Sequence, residues 1–400
     1  LRLALISLST EVSAGDGPVG MLPLFDATIV ERQVRSVRNM GAEKIIFLSP
    51  AMHSGLLQYT DSLIQQDIDV EIARNVSDLG QYASAEDDLI FLSDGIFPDQ
   101  SIEEHLSNQS GELIYVVVNA EEYADFERID LGHRWLGIAL VKADRLSEIS
   151  QIPDDWDIGS ALLRTAVQSE CRREVLSDDD LQSDAVTQVL NADTAMTYQN
   201  RRLGKLRLSK QNLLDRLVSW PLMRKALPIL WKRPESKKYL GIGSIVTALS
   251  AIALAVLDWP VVALVFLLIG SVSMQMRNRI SLFSTRNENY GPISLFFCLM
   301  AAIVLTVSVL RMSPAGALVG DMTVLMLFFG NLWMVHSAPD NLRLNWIRPD
   351  ISLILIIFIV ASGFGFFSIG LYFAALLCLA YLVVAHNGRW SLSVPQNSSK

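Results

Sequence analysis

The chain changes solvent near residue 240, and no single globular core accommodates both sides of that change. Residues 1–200 carry 35 acids against 13 bases, a net charge of about −22. Residues 201–238 carry twelve Lys or Arg and two acids, Asp215 and Glu235. Residues 241–400 are largely hydrocarbon, with a net charge of +3. A basic strip just ahead of an apolar stretch favours the cytoplasmic side, through the positive-inside bias and attraction to anionic lipid. The expected organisation is a cytoplasmic domain over 1–200, a basic interfacial connector over 201–238, a membrane domain over 239–388 and a cytoplasmic tail over 389–400.

Six apolar runs follow the connector: 240–257, 261–276, 292–310, 315–335, 351–370 and 371–385. Runs near 20 residues match roughly 30 Å of hydrocarbon. Gly363, Gly365 and Gly370 blur the boundary between the last two. Arg277, Arg279 and Arg286 follow the second run, and Arg343 and Arg348 follow the fourth, whereas only Arg311 follows the third. That alternation predicts an integral membrane protein of a bacterial inner membrane, with six spans and both termini cytoplasmic. Asp321 falls inside the fourth run, where a carboxylate is costly unless paired or wetted. Three cysteines and five histidines have no metal-ligand spacing, so no metal site is expected.

The first 200 residues read as strands alternating with helices. Apolar strand-like runs occupy 3–9, 44–48, 70–73, 89–92 and 113–118. A helix after Asp26 places Ile29, Val30, Gln33, Val34 and Val37 on one face and Glu31, Arg32, Arg35 and Arg38 on the other. A second helix is expected over 56–66. This pattern predicts an open α/β sheet whose crevice lies at the carboxyl ends of its strands. Two features fall there. A glycine loop with Gly15, Gly17 and Gly20 allows backbone N–H groups to approach phosphate. Asp94, at the end of a hydrophobic strand, has the position of a carboxylate that binds Mg²⁺. On spacing alone, structural turns explain both features better than a nucleotide site does.

The segment AGDGPVGMLPLFDATIVERQVRSVRNMGAEKIIFLSP resembles the opening of the sugar-phosphate nucleotidyltransferases, the cytidylyltransferase and molybdenum-cofactor guanylyltransferase-like group. Gly15-Asp16-Gly17 stands for the glycine loop and Leu22-Pro23 for the following step. LIFLSDG at 89–95 is similar to the family's metal-binding strand, with Asp94 as its aspartate. LGHRWLGIALVKADRLSEI and DWDIGSALLR, within 131–164, resemble its later sheet and helix. The resemblance implies a nucleotide site, but Pro18 and Val19 stand where the family places the bases that grip a triphosphate. Nucleotidyl transfer builds negative charge that Lys, Arg or metal must meet. Residues 1–30 contain one base, Arg2.

A nucleotidyltransferase-like domain ahead of six spans resembles bifunctional proteins that activate inositol phosphate with CTP, whose membrane half is a CDP-alcohol phosphotransferase. The stretch 213–233, with Trp220 and Trp231, is similar to that family's interfacial entry helix. Its signature, D-x2-D-G-x2-A-R-x8-G-x3-D-x3-D, supplies carboxylates for two metals. Aligned on its Arg, the signature falls on 271–279. Ser271 and Met274 replace the two aspartates, Gln275 the glycine and Asn278 the alanine, and Arg279 alone is retained. With both motifs degenerate, the sequence favours a non-catalytic membrane scaffold or accessory subunit without cofactors. Gly15, Gly17 and Asp94 are its vestigial nucleotide-binding residues, and Arg277 and Arg279 its candidates for lipid phosphate. Expected partners are membrane lipids and a membrane protein or a second copy of the chain, not nucleic acid. The alternatives are a phospholipid or polar-headgroup transferase using Mg²⁺ with CTP or GTP, and a regulator that binds nucleotide or lipid phosphate.

Overall fold

The computed structural model describes residues 1–12, 17–149, 158–209, 230, 236–282, 291–337, 349 and 351–392. It divides into two compact units, Leu1–Arg201 and Arg202–Lys400. The first is a mixed α/β sheet domain and the second is all-α with long apolar helices.

In chain order the first unit contains β1 (Arg2–Ser7), β2 (Pro23–Leu24), β3 (Ala27–Thr28), α1 (Ile29–Asn39), β4 (Lys44–Leu48), α2 (Ser54–Ile64) and β5 (Asp69–Ala73). Next come β6 (Asp88–Leu92), β7 (Ile96–Pro98), α3 (Gln100–Asn108), β8 (Leu113–Val118), β9 (Glu127–Arg128) and β10 (His133–Lys142). The unit ends with α4 (Asp144–Ile149), α5 (Ile158–Gln168), β11 (Arg172–Val175), α6 (Asp178–Gln182), β12 (Val186–Gln188) and the start of α7 (Ala192–Ser209), which runs past Arg201.

The main sheet runs β11-β8-β10-β6-β1-β4-β5, with β9 paired to β10. β1 lies parallel to both β4 and β6, and β10 enters antiparallel between β6 and β8. The period-two side-chain alternation of strands divides the core into two layers. Ala4 and Ile6 of β1 face Val34, Leu56 and Leu106, while Leu3 and Leu5 face Leu79, Leu146 and Leu162.

Helix α1 follows from local chemistry. The Thr28 hydroxyl accepts from the Glu31 N–H at 3.4 Å, and the Glu31 carboxylate accepts from the Thr28 N–H at 2.6 Å. This capping box satisfies donors that a helix start leaves open. Ile29, Val30, Gln33, Val34 and Val37 are all buried. Arg32 departs from the expected solvated face: it donates to the Leu24 carbonyl at 3.2 Å and lies over the Phe25 ring at 5.2 Å.

The second unit contains α8 (Ser236–Val256), α9 (Pro260–Leu282), α10 (Gly291–Met312), α11 (Leu318–Ser337), α12 (Ile351–Gly363) and α13 (Phe367–Leu392). Five of these are long and apolar enough to cross a membrane, and α12 has 13 residues. The protein is an integral membrane protein. The expected fifth run, 351–370, is corrected: its helix stops at Gly363 and the next begins at Phe367. Gly365 (φ 78°) breaks it, and the Phe366 and Gly365 N–H groups donate back to the Ala361 and Ser362 carbonyls. That is a Schellman ending, whose left-handed residue costs glycine nothing. At 1.5 Å per residue, α12 is about 20 Å long, short of the roughly 30 Å hydrocarbon layer.

Contacts fix the alternation of these helices. Asp258, between α8 and α9, lies 3.7 Å from Arg311 near the end of α10. Asp321 in the first turn of α11 accepts from Ser368 (2.6 Å) and Tyr372 (2.7 Å) in α13. Ser271, midway along α9, meets Ser352 at the start of α12 at 3.0 Å. The buried carboxylate of Asp321 is therefore satisfied by hydroxyls, as membrane burial demands.

Candidate functional site

A cleft of about 260 Å³ opens at the carboxyl ends of β1 and β6. Ser7, the last residue of β1, and Asp94, two residues past β6, form its floor. The Ser7 hydroxyl donates to one Asp94 oxygen at 2.5 Å, and the Thr10 N–H donates to the other at 3.1 Å. Asp94 is thus tied to β1 and the segment leaving it. Gln33 braces the same turn from α1, donating to the Ser93 and Ile96 carbonyls at 2.9 and 2.8 Å.

β10 supplies the opposite wall. Its pairing with β8 shifts register between Trp135 and Ala139, and Gly137 in that irregularity has φ 73°. A Cβ on Gly137 would come within 2.9 Å of Ser93 Cβ. Only glycine lets the two backbones approach there, and the Ser93 N–H donates to the Gly137 carbonyl at 2.9 Å. Trp135 stacks on Phe91 with centroids 5.7 Å apart and planes at 18°. Asp125 and Glu127 line the rim.

Among the described residues, the lining combines three carboxylates (Asp94, Asp125 and Glu127) and no Lys or Arg. Carboxylates so placed disfavour a polyphosphate unless a cation compensates their charge. Among the described residues, no group of three His, Cys, Asp or Glu is placed to hold a metal.

The expected site residues separate in space. Asp94 is in the cleft. Gly17, at φ 85°, lies outside its lining: a Cβ there would sit 3.5 Å from His53 Nδ1. The Gly17 carbonyl accepts from the Val12 N–H at 3.0 Å. Gly15 lies outside the described residues, as does the connector over 210–229. Thr10, Asp125, Glu127 and Gly137 were not anticipated. A glycine within the apolar run WLGIAL was the available signal, since a strand glycine marks a bulge or close backbone approach.

In the membrane unit, the aligned signature positions make a packed interface. Ser271 and Ser352 are buried, and Gln275 donates to the Ser352 hydroxyl at 2.8 Å. Met274 Sδ is 3.9 Å from the Ser244 hydroxyl. Arg277 is 4% exposed and lies along α8, its Nε 3.0 Å from the point a Gly241 Cβ would occupy. The Arg279 side chain lies outside the described residues.

No protein-family model matches the chain, and no curated protein matches it. Among solved structures, it is similar to one described as a glucose-1-phosphate thymidylyltransferase from Bacillus anthracis in complex with sucrose. The identity is 8% and the TM-score 0.40, over 50% of this chain and 94% of that one.

Proposed function

We propose that the protein is a non-catalytic membrane scaffold or accessory subunit. In this reading it descends from a nucleotidyltransferase joined to a CDP-alcohol phosphotransferase, and sits in a bacterial inner membrane with both termini cytoplasmic. The observation that carries it is the charge of the cleft: among the described residues, Asp94, Asp125 and Glu127 line it without a Lys or Arg. Nucleotidyl transfer requires positive groups aimed at the developing phosphate charge. The interface of Ser271, Gln275 and Ser352 supports the same reading in the membrane unit. The Ser271 hydroxyl and Gln275 amide bond to Ser352 across α9 and α12, and the Met274 thioether faces the Ser244 hydroxyl of α8. What remains useful is a folded body that binds a membrane-protein partner or a second copy.

The full chain, reconstituted and supplied with Mg²⁺, CTP or GTP and a panel of sugar and polyol phosphates, is expected to release no pyrophosphate. Gentle extraction is expected to recover a stoichiometric protein partner or a homo-oligomer. Pyrophosphate release that Asp94→Asn abolishes would overturn the reading and establish a headgroup-activating enzyme.

A further inference from the structure

Helices α9, α10, α11 and α12 enclose an almost wholly apolar cavity of about 340 Å³. Ligand pockets begin at roughly 300 Å³, so this one is large enough for a guest. Ala301 and Ala302 on α10 leave the space, and buried Phe328 of α11 closes its back. Leu295, Cys298 and Trp333 stand at its mouth: Leu295 is 62% and Trp333 74% exposed, and Cys298 is exposed. The mouth therefore opens sideways from the bundle, where a membrane protein meets hydrocarbon rather than water.

We infer that this cavity is a site for one acyl chain of a membrane lipid. Protein interiors pack nearly as densely as organic crystals, and an unfilled void forfeits dispersion contacts over its lining. Water has no hydrogen-bond partners on such walls, whereas a hydrocarbon chain restores the lost contacts. The cavity's lining runs from Leu267 of α9 and residues within 295–305 of α10 to residues within 328–333 of α11 and 351–355 at the start of α12. The start of α10, the end of α11 and the start of α12 are joined in sequence to segments that include Arg286, Arg343 and Arg348. In the expected topology those segments face the cytoplasm, where bases favour anionic lipids of that leaflet.

The test uses the full chain in bilayer discs of phosphatidylethanolamine and phosphatidylglycerol, extracted into mild detergent for native mass spectrometry. One retained phospholipid per chain is expected. Ala301→Phe fills the cavity, and Cys298→Trp blocks its mouth without touching the buried layer. Each should lower lipid retention about tenfold or more, which corresponds to about 1.4 kcal/mol of binding free energy. Leu376→Phe, on an exposed position of α13 outside the lining, should retain the lipid. Circular dichroism and monodisperse elution establish that each variant is folded, and the mouth variant decides the matter if Ala301→Phe does not fold. Equal retention in wild type and Cys298→Trp would overturn the site. A lipid-free dimer that separates on Trp333→Ala would overturn it in favour of a second copy.

Discussion

Asp130 is an acid whose partners are already in place. The Gly132 N–H donates to it at 2.7 Å, the Arg173 guanidinium at 2.6 Å and the His133 N–H at 2.8 Å. These hold its carboxyl down to about 2, the Gly132 bond being the largest influence. An unfolded Asp titrates near roughly 3.9. Its stabilising contribution is therefore fully present above that pH and lost as pH falls through about 2. A carbon-13 titration should find the Asp130 carboxylate ionised at pH 3, and Asp130→Asn should remove its share of the acid dependence of stability. A midpoint near 4 would refute this. Asp94, by contrast, has its oxygens directed at Ser7 and Thr10, and its interest is positional.

At the scale of elements, the membrane helices cannot rely on hydrophobic exclusion from water, because lipid is as apolar as their side chains. They associate through close approach and buried polar links. Ala248, Ala251 and Ala255 of α8 and Ala263 of α9 are buried. Gly270 of α9 is the tightest of these small positions: a Cβ would come within 2.6 Å of Thr247 Oγ1 and 2.8 Å of Phe297. Gly270→Leu should cost about 1–3 kcal/mol by overpacking, read as a lower thermal aggregation midpoint in detergent. Gly330→Leu, where a Cβ meets nothing within 4 Å, is expected to leave that midpoint nearly unchanged. Equal effects would indicate that helix propensity, not α8–α9–α10 contact, controls the outcome.

For the whole molecule, the alternation of the six helices carries a prediction about sidedness. In a cysteine-free background, single cysteines at positions 282, 340 and 395 should react with an impermeant maleimide from the cytoplasmic face alone. A cysteine at position 315 should react from the outside alone. Labelling of 340 and 395 from opposite faces would mean that the short α12 does not cross.

How much of this was legible from residues depends on the range of the interaction. The runs at 44–48 and 113–118 are strands over those same residues because continuous apolar stretches between turn residues carry their own signal. The buried face of α1 was legible for the same reason, down to Gln33. The division into a charged α/β half and an apolar helical half is a matter of transfer between water and hydrocarbon, which each residue decides largely alone. Of the cleft, Asp94 was legible and the rest of its lining was not. Glu127 and Gly137 join the expected Asp94 because β10, with β9 paired to it, inserts antiparallel between β6 and β8, a pairing that no local periodicity specifies. Arg277 looked like an interfacial anchor, yet α8 covers it, and Gly363, Gly365 and Gly370 all looked able to end a helix until backbone bonds singled out Gly365. Local solvent preference thus determined which segments fold as sheet and which as membrane helices. Only tertiary packing decided which carboxylates face one another, which arginine is covered and where an acyl-sized space remains, because those depend on contacts between residues far apart in the chain.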